Sequence, residues 1–393
     1  MLEIATRRFA ERLTRAYRGL DALHRRANPE DRWGIVVEDM GDAADVTSFD
    51  DWSGAEAAFE RLFEEASDLA ETDRRVYYRD LCRSALTVIH WNVADGALSL
   101  EDQVDGFLAA EPRPASDEEL DQVRGLLAQA LADAGYDAPL SEAARAWEAD
   151  TRVAPGDLVA TMGALMEEAS ARAATVFDVP MPPLPRVELV QGAAFNARCD
   201  FANGVVLLNT DPILTEGNLR HLTVHEVIPG HVLQFSARRQ AALEGWGGAD
   251  GLLSLVKSAG SPLFEGLADA GDELIGWHTS TDRITRQLSR FRAGVGTRTA
   301  WGLHREGWSL DQARAYLTGH SLTGGPGWVE NRLGYIAPRG RGAHIWSYWL
   351  GERHLRPHYR ALGARPDAGM LRRVYGQMHS LASLTTLFGS DDS

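Results

Sequence analysis

Two imidazoles and a carboxylate crowd into the seven positions His225-Glu226-Val227-Ile228-Pro229-Gly230-His231. Imidazole nitrogens bind zinc and other divalent transition metals, and a carboxylate beside them can move a proton. In the zinc spacing H-E-x-x-H the histidines are four apart and lie about 40° from each other around a helix. Here they are six apart, which at ~100° per residue leaves them roughly 120° out of phase. An unbroken helix therefore cannot deliver both to one ion. Pro229 has no N–H for the carbonyl of His225 and its ring clashes there, while Gly230 accepts unusual dihedrals. The pair predicts a kink or widening that turns His231 back towards a metal held by His225, with Glu226 alongside.

A catalytic zinc site takes three protein ligands and keeps one position for water or substrate. Glu265 opens the helical run Phe264-Glu265-Gly266-Leu267-Ala268-Asp269-Ala270-Gly271-Asp272-Glu273 and is the best candidate for the third ligand. Two further motifs follow: Gly302-Leu303-His304-Arg305-Glu306-Gly307-Trp308-Ser309-Leu310-Asp311-Gln312-Ala313, and Ser347-Tyr348-Trp349-Leu350-Gly351.

With Gln234 completing the first motif, these segments resemble the bacterial domain-of-unknown-function family 885, which looks like a set of metallopeptidases. Its pattern is H-E-x-x-P-G-H-x-x-Q, E-G-W-A-x-Y-x-E, G-L-H-x-x-G-W-S/T-x-x-Q-A and S-Y-x-x-G, in that order. The resemblance spans about Asn196 to Arg356. It implies a helical zincin-like protein with His225, His231 and Glu265 as ligands of zinc, or of iron or another divalent transition metal. Leu267 and Ala270 replace a tryptophan and a tyrosine of the pattern. Arg339-Gly340-Arg341-Gly342-Ala343-His344 replaces a proline-glycine-glutamine stretch. These departures imply altered pocket walls, with His344 marking a specialised pocket.

In a hydrolytic reading, Glu226 takes a proton from the attacking water and returns it to the leaving amine. Tyr348 or His304 donates a hydrogen bond to the developing oxyanion. Arg298, Arg332, Arg339 and Arg341 are candidates to clamp a substrate carboxylate. The expected substrate is a small molecule or short peptide, such as an acidic amide or an amino-acid conjugate. Two histidines and a glutamate also serve mononuclear non-haem iron oxygenases, and a lyase or cyclase could use the same Lewis acid. A non-catalytic binding protein with a relic site is a third class. Glu226 favours hydrolysis, because an iron oxygenase does not need it.

The elements that must carry these residues are mainly helical. Apolar residues three and four apart run from Met1 to about Phe177, with Ser116-Asp117-Glu118-Glu119 as a helix start. Four prolines between Val179 and Pro185 stop helix and central strand alike. They suggest an N-terminal helical region, 1–178, and a metal-site region, 179–393, joined in one compact unit. Residues 186–190 and 204–209 are short aliphatic runs that predict a small sheet or hairpin just before the metal-motif helix.

Composition sets the outer bounds. The 393 residues are 44% hydrophobic and 24% charged, enough for a sizeable core. No apolar run approaches the ~18 residues of a spanning helix, and the first two dozen residues lack a continuous apolar stretch. With only Cys82 and Cys199 there is no disulfide framework, and the expected setting is cytoplasmic. The net charge of -16 argues against nucleic acid and anionic membranes as partners. From Ile275 to Ser393 the balance reverses, with 16 basic against 8 acidic side chains, and this part could attract a small anion.

Overall fold

Helical periodicity dominates the chain, and the fold follows it. The computed structural model describes residues 1–31, 33–362 and 367–388. In chain order the elements are α1 (Ile4–Ala27), β1 (Val36–Asp39), α2 (Trp52–Ala66), α3 (Thr72–Val93), α4 (Leu100–Leu108), α5 (Asp117–Asp133), α6 (Leu140–Thr151) and α7 (Leu158–Ala173). Then come β2 (Arg186–Val190), β3 (Ala197–Asp200), β4 (Val205–Asn209), α8 (Glu216–Glu226), α9 (His231–Glu244), β5 (Leu253–Leu255), α10 (Ser261–Leu274) and α11 (Ser280–His304). The last are α12 (Leu310–His320), α13 (Gly325–Ile336), α14 (Ile345–Leu362), α15 (Ala368–Gly376) and α16 (Leu381–Phe388). The protein is mainly α with small sheets. No helix among the described residues is long and apolar enough to cross a membrane.

The chain divides into two units, and not at the prolines. One comprises residues 1–112, 234–264 and 367–393; the other comprises 113–233 and 265–366. The expected boundary at 178/179 lies inside the second unit, where the proline-rich stretch links α7 to β2. The reason is physical: β2 pairs with β4 and packs against α7, so the prolines end a helix without ending its packing.

In the first unit, Phe9, Leu13, Tyr17, Phe59, Tyr78 and Leu81 form a buried core of α1, α2 and α3. Strands β1 and β5 pair antiparallel beside it, a ribbon with no counterpart in the sequence reading.

In the second unit, α11 is the axis. Its Phe291 and Val295 pack with Leu120 and Val123 of α5, Leu317 of α12, Trp328 of α13 and Trp349 of α14. Its Ile284 and Leu288 join Leu127 and Leu131 of α5 and Trp147 of α6. The three-stranded sheet has the order β2-β4-β3, with β2 parallel and β3 antiparallel to β4. The two strands expected from sequence are β2 and β4, whereas β3 is unexpected and pairs with the adjacent β4.

Candidate metal centre

Helix α8 starts at a capping box, in which Thr215 and Asn218 satisfy each other's backbone amides, and it buries Leu219, Leu222 and Val224. It stops at Glu226. The amides of Val227 and Ile228 both reach the carbonyl of Thr223, at 3.0 and 3.1 Å, and the backbone then leaves helical geometry at Val227 (φ -116°, ψ -87°). Helix α9 begins again at His231. The expected kink is thus a complete break into two helices, because Pro229 cannot donate to the carbonyl of His225. A Cβ on Gly230 would fall onto the carbonyl oxygens of Val224 and His225, so the chain can double back this closely only with glycine there.

The break brings the two imidazoles together. Their ring centroids are 4.7 Å apart and the planes are nearly perpendicular, at 78°. The Nε2 atoms of His225 and His231 lie 3.3 and 3.6 Å from Oε2 of Glu265. Donor atoms about 2.0–2.1 Å from a tetrahedral zinc sit about 3.3–3.5 Å apart, so the observed separations match the edges of such a site. Oε2 of Glu265 is fully buried and accepts no hydrogen bond from any described residue. A buried, unsatisfied carboxylate oxygen facing two imidazole nitrogens fits a divalent cation. Burial alone would raise the pKa of Glu265, but the facing rings of His225, His231 and His344 hold it well below the usual carboxylate range.

Glu265 owes its place to a close helix crossing. A Cβ on Gly266 would strike the backbone of Gly351, so α10 and α14 approach to near contact there. One turn along α10, Asp269 Oδ1 accepts from Nδ1 of His225 at 2.7 Å. That bond fixes the tautomer and leaves Nε2 facing Glu265, the arrangement by which an outer carboxylate orients a metal-binding histidine. Burial disfavours a charged His225, yet Asp269 and Glu265 hold its pKa well above the ordinary value. A metal held at Nε2 would therefore have to compete with a proton for that nitrogen. Asp269 also faces Nε2 of His221, at 3.6 Å.

Glu226 is buried beside this group, and its Oε2 accepts from the backbone amide of Cys199 on β3 at 2.8 Å. Across from it, the Tyr348 ring stacks on His225 with centroids 6.1 Å apart, and His344 meets Tyr348 edge-on at 5.9 Å. Nε2 of His344 is 3.6 Å from Oε1 of Glu265. Burial, reinforced by the charge of Glu265, pushes the phenol of Tyr348 well above its ordinary pKa, and burial pushes Tyr335 to about 12. Both remain protonated donors near neutrality. A cavity of about 170 Å³ reaches the group, lined on this side by His225, Glu226, Asp269, Tyr335 and Tyr348.

Known proteins resemble this chain in fold. No family model matches it, and no curated protein matches it. Among solved structures it is similar to a candidate lipoprotein of Colwellia psychrerythraea, with TM-score 0.58 and 16% identity over 86% of this chain and 69% of that one. It is also similar to a candidate lipoprotein of unknown function from Shewanella oneidensis, with TM-score 0.50 and 16% identity over 86% and 71% of the respective chains. Likeness at that identity speaks to fold alone.

Of the residues singled out from sequence, His225, His231, Glu265, Glu226, Tyr348 and His344 come together, and Arg332 lines the cavity. His304 does not join them: its Nε2 is bonded to the carbonyl of Ile336 at 2.9 Å, tying the end of α11 to α13. Arg298 is engaged by Glu306 through two bonds of 2.7 and 3.2 Å and lies outside the cavity wall. Arg341 stacks on Tyr335, 4.9 Å from the ring centroid, without lining the cavity, and Arg339 is exposed. The sequence reading missed Asp269, His221 and Tyr335. Asp269 follows Glu265 by four residues and His221 precedes His225 by four, so helical spacing alone could have found both.

Proposed function

We propose that the second unit is a metal-dependent hydrolase that cleaves an amide bond in a short peptide or an amino-acid conjugate. The observation that carries this reading is the combination of two histidines and a glutamate converging as a ligand set with a buried glutamate beside them that is not part of the set. A divalent ion held by His225, His231 and Glu265 would supply the positive charge that acidifies water and polarises a carbonyl.

The chain's own residues account for the proton movements. Glu226 is fixed at one oxygen by the amide of Cys199, and its other oxygen is not hydrogen-bonded to any described residue. That oxygen accepts a proton from the attacking water as the water oxygen bonds to the acyl carbon. When the C–N bond breaks, the same carboxyl group returns the proton to the amine. Tyr348, protonated and half-buried, donates to the carbonyl oxygen as negative charge develops there. The cavity is small, which suits a short substrate.

Glu226→Gln keeps the size of the side chain and removes the base. The expected result is full metal content with hydrolysis of dipeptides and N-acyl amino acids reduced at least ~10²-fold. Hydrolysis at the wild-type rate by that variant would overturn the proposal.

A further inference from the structure

Six arginines and five carboxylates line the cavity, and four of the arginines are paired with three of the carboxylates. Arg220 holds Asp282 through two bonds, at 2.7 and 3.1 Å. Arg286 engages Asp272, and Arg356 engages Asp272 and Glu352 at 3.0 and 2.5 Å. Arg290 faces Glu352 at 3.4 Å. Arg292 is taken up by the backbone carbonyls of Ser321 and Thr323. Arg332 stands apart. Its guanidinium lies between the rings of Trp328 and Tyr335, 5.8 and 5.9 Å from their centroids, and makes no ion pair or hydrogen bond with any described residue. Its Nε is fully buried without a hydrogen-bond partner.

We infer that Arg332 is the seat of a substrate carboxylate, so that the substrate is an N-acyl amino acid or short peptide whose terminal carboxylate belongs to the residue released as the amine. A guanidinium partly withdrawn from water without a counter-charge carries a desolvation cost, and an entering anion offsets it. Alone among the cavity arginines, Arg332 has neither an ion pair nor a hydrogen bond from a described residue, which leaves it free for a monoanion, and the planar fork of arginine matches a carboxylate in particular. Burial also lowers the pKa of Arg332, as expected of a cation lacking a close acidic partner.

Position narrows the choice further. Trp328, Arg332 and Tyr335 are spaced along one face of α13, and the Tyr335 ring lies 6.3 Å from both His344 and Tyr348. Arg332 is three residues from Tyr335, a rise of about 4.5 Å along the helix. A carboxylate on Arg332 is therefore only a few bonds from a carbonyl placed beneath Tyr348.

The word "substrate" rests on the hydrolase reading, whereas the binding test does not. Calorimetric titration of the full chain, carrying Glu226→Gln to prevent turnover, compares N-acetyl-amino acids with their C-terminal amides. The acids are expected to bind at least about tenfold more tightly than the amides. Arg332→Gln should abolish that preference, Arg332→Lys should restore part of it, and Arg314→Gln, which alters an exposed arginine paired with Glu330, should leave it intact. If Arg332→Gln does not fold, the acid-to-amide ratio in the parent and in Arg332→Lys decides the matter. Equal affinities, no binding by any acid, or a preference that survives Arg332→Gln overturns the inference. Failure of the hydrolase reading would look different, with no turnover by the wild-type chain and the acid preference still present.

Discussion

At the scale of single residues, His225 is the best-determined member of the centre. Asp269 holds one nitrogen at 2.7 Å, and the other faces Glu265 at 3.3 Å. Asp269→Asn keeps the shape but removes the negative charge that orients the ring and raises its basicity. We expect metal affinity to fall ~10–100-fold, measured by competition with a chelator, with secondary structure unchanged. Unchanged affinity would deprive Asp269 of that role. Tyr348→Phe tests the oxyanion donor: kcat should fall ~10²-fold while KM moves little, and an equal loss in both would make Tyr348 a packing residue instead.

At the scale of elements, the site depends on two backbone close approaches, the break between α8 and α9 and the crossing of α10 over α14. Gly266→Ala places a methyl group against the backbone of Gly351. It is expected to cost roughly 1–3 kcal/mol by thermal unfolding and to weaken metal binding, because Glu265 is the adjacent residue. A variant with wild-type stability and metal affinity would show that the crossing does not set the site.

The same elements show why parts of the sequence were legible. Pro229 and Gly230 announce an interruption because their restrictions are local, and the capping pair Ser116 and Glu119 marks the start of α5 for the same reason. The third motif is different. Ser309 and Gln312 form the capping box of α12, Trp308 packs onto Gly302, and His304 ties down the carbonyl of Ile336. Its residue types look chemical, but their work is to join α11 to α12 and α13. Strands β1 and β5 escaped notice because each takes its conformation from a partner far along the chain, whereas β3, short and half polar, is drawn into the sheet by the adjacent β4.

At the scale of the whole molecule, part of the arginine excess after Ile275 is neutralised inside the second unit. Arg356 is almost fully buried and binds Asp272, Glu273 and Glu352, joining α14 to α10. Burial alone would raise the pKa values of Asp272 and Glu273, yet Arg356 and Arg286 outweigh it and hold both below their ordinary range. A depressed folded-state pKa adds stability that is present above the unfolded-state value, about 3.9 for Asp and 4.3 for Glu, and is lost as pH falls through the folded value. Thermal stability should therefore drop on acidification below about pH 4. Arg356→Met leaves these carboxylates buried without their main partner and should cost about 3–5 kcal/mol at neutral pH, with a weaker dependence on acid. A melting curve like that of the wild type would remove the network from the account.

Domain organisation was the least legible feature, since neither unit is continuous along the chain and only packing reveals which segments return to which. The central claim, that His225, His231 and Glu265 share one ion, is open to direct measurement. Elemental analysis of the purified chain and of His225→Ala, His231→Ala and Glu265→Ala should give one equivalent of a divalent transition metal in the wild type and a large loss in each variant. A wild-type chain that binds no such metal when supplied with it, or variants that all retain a full equivalent, would contradict the account.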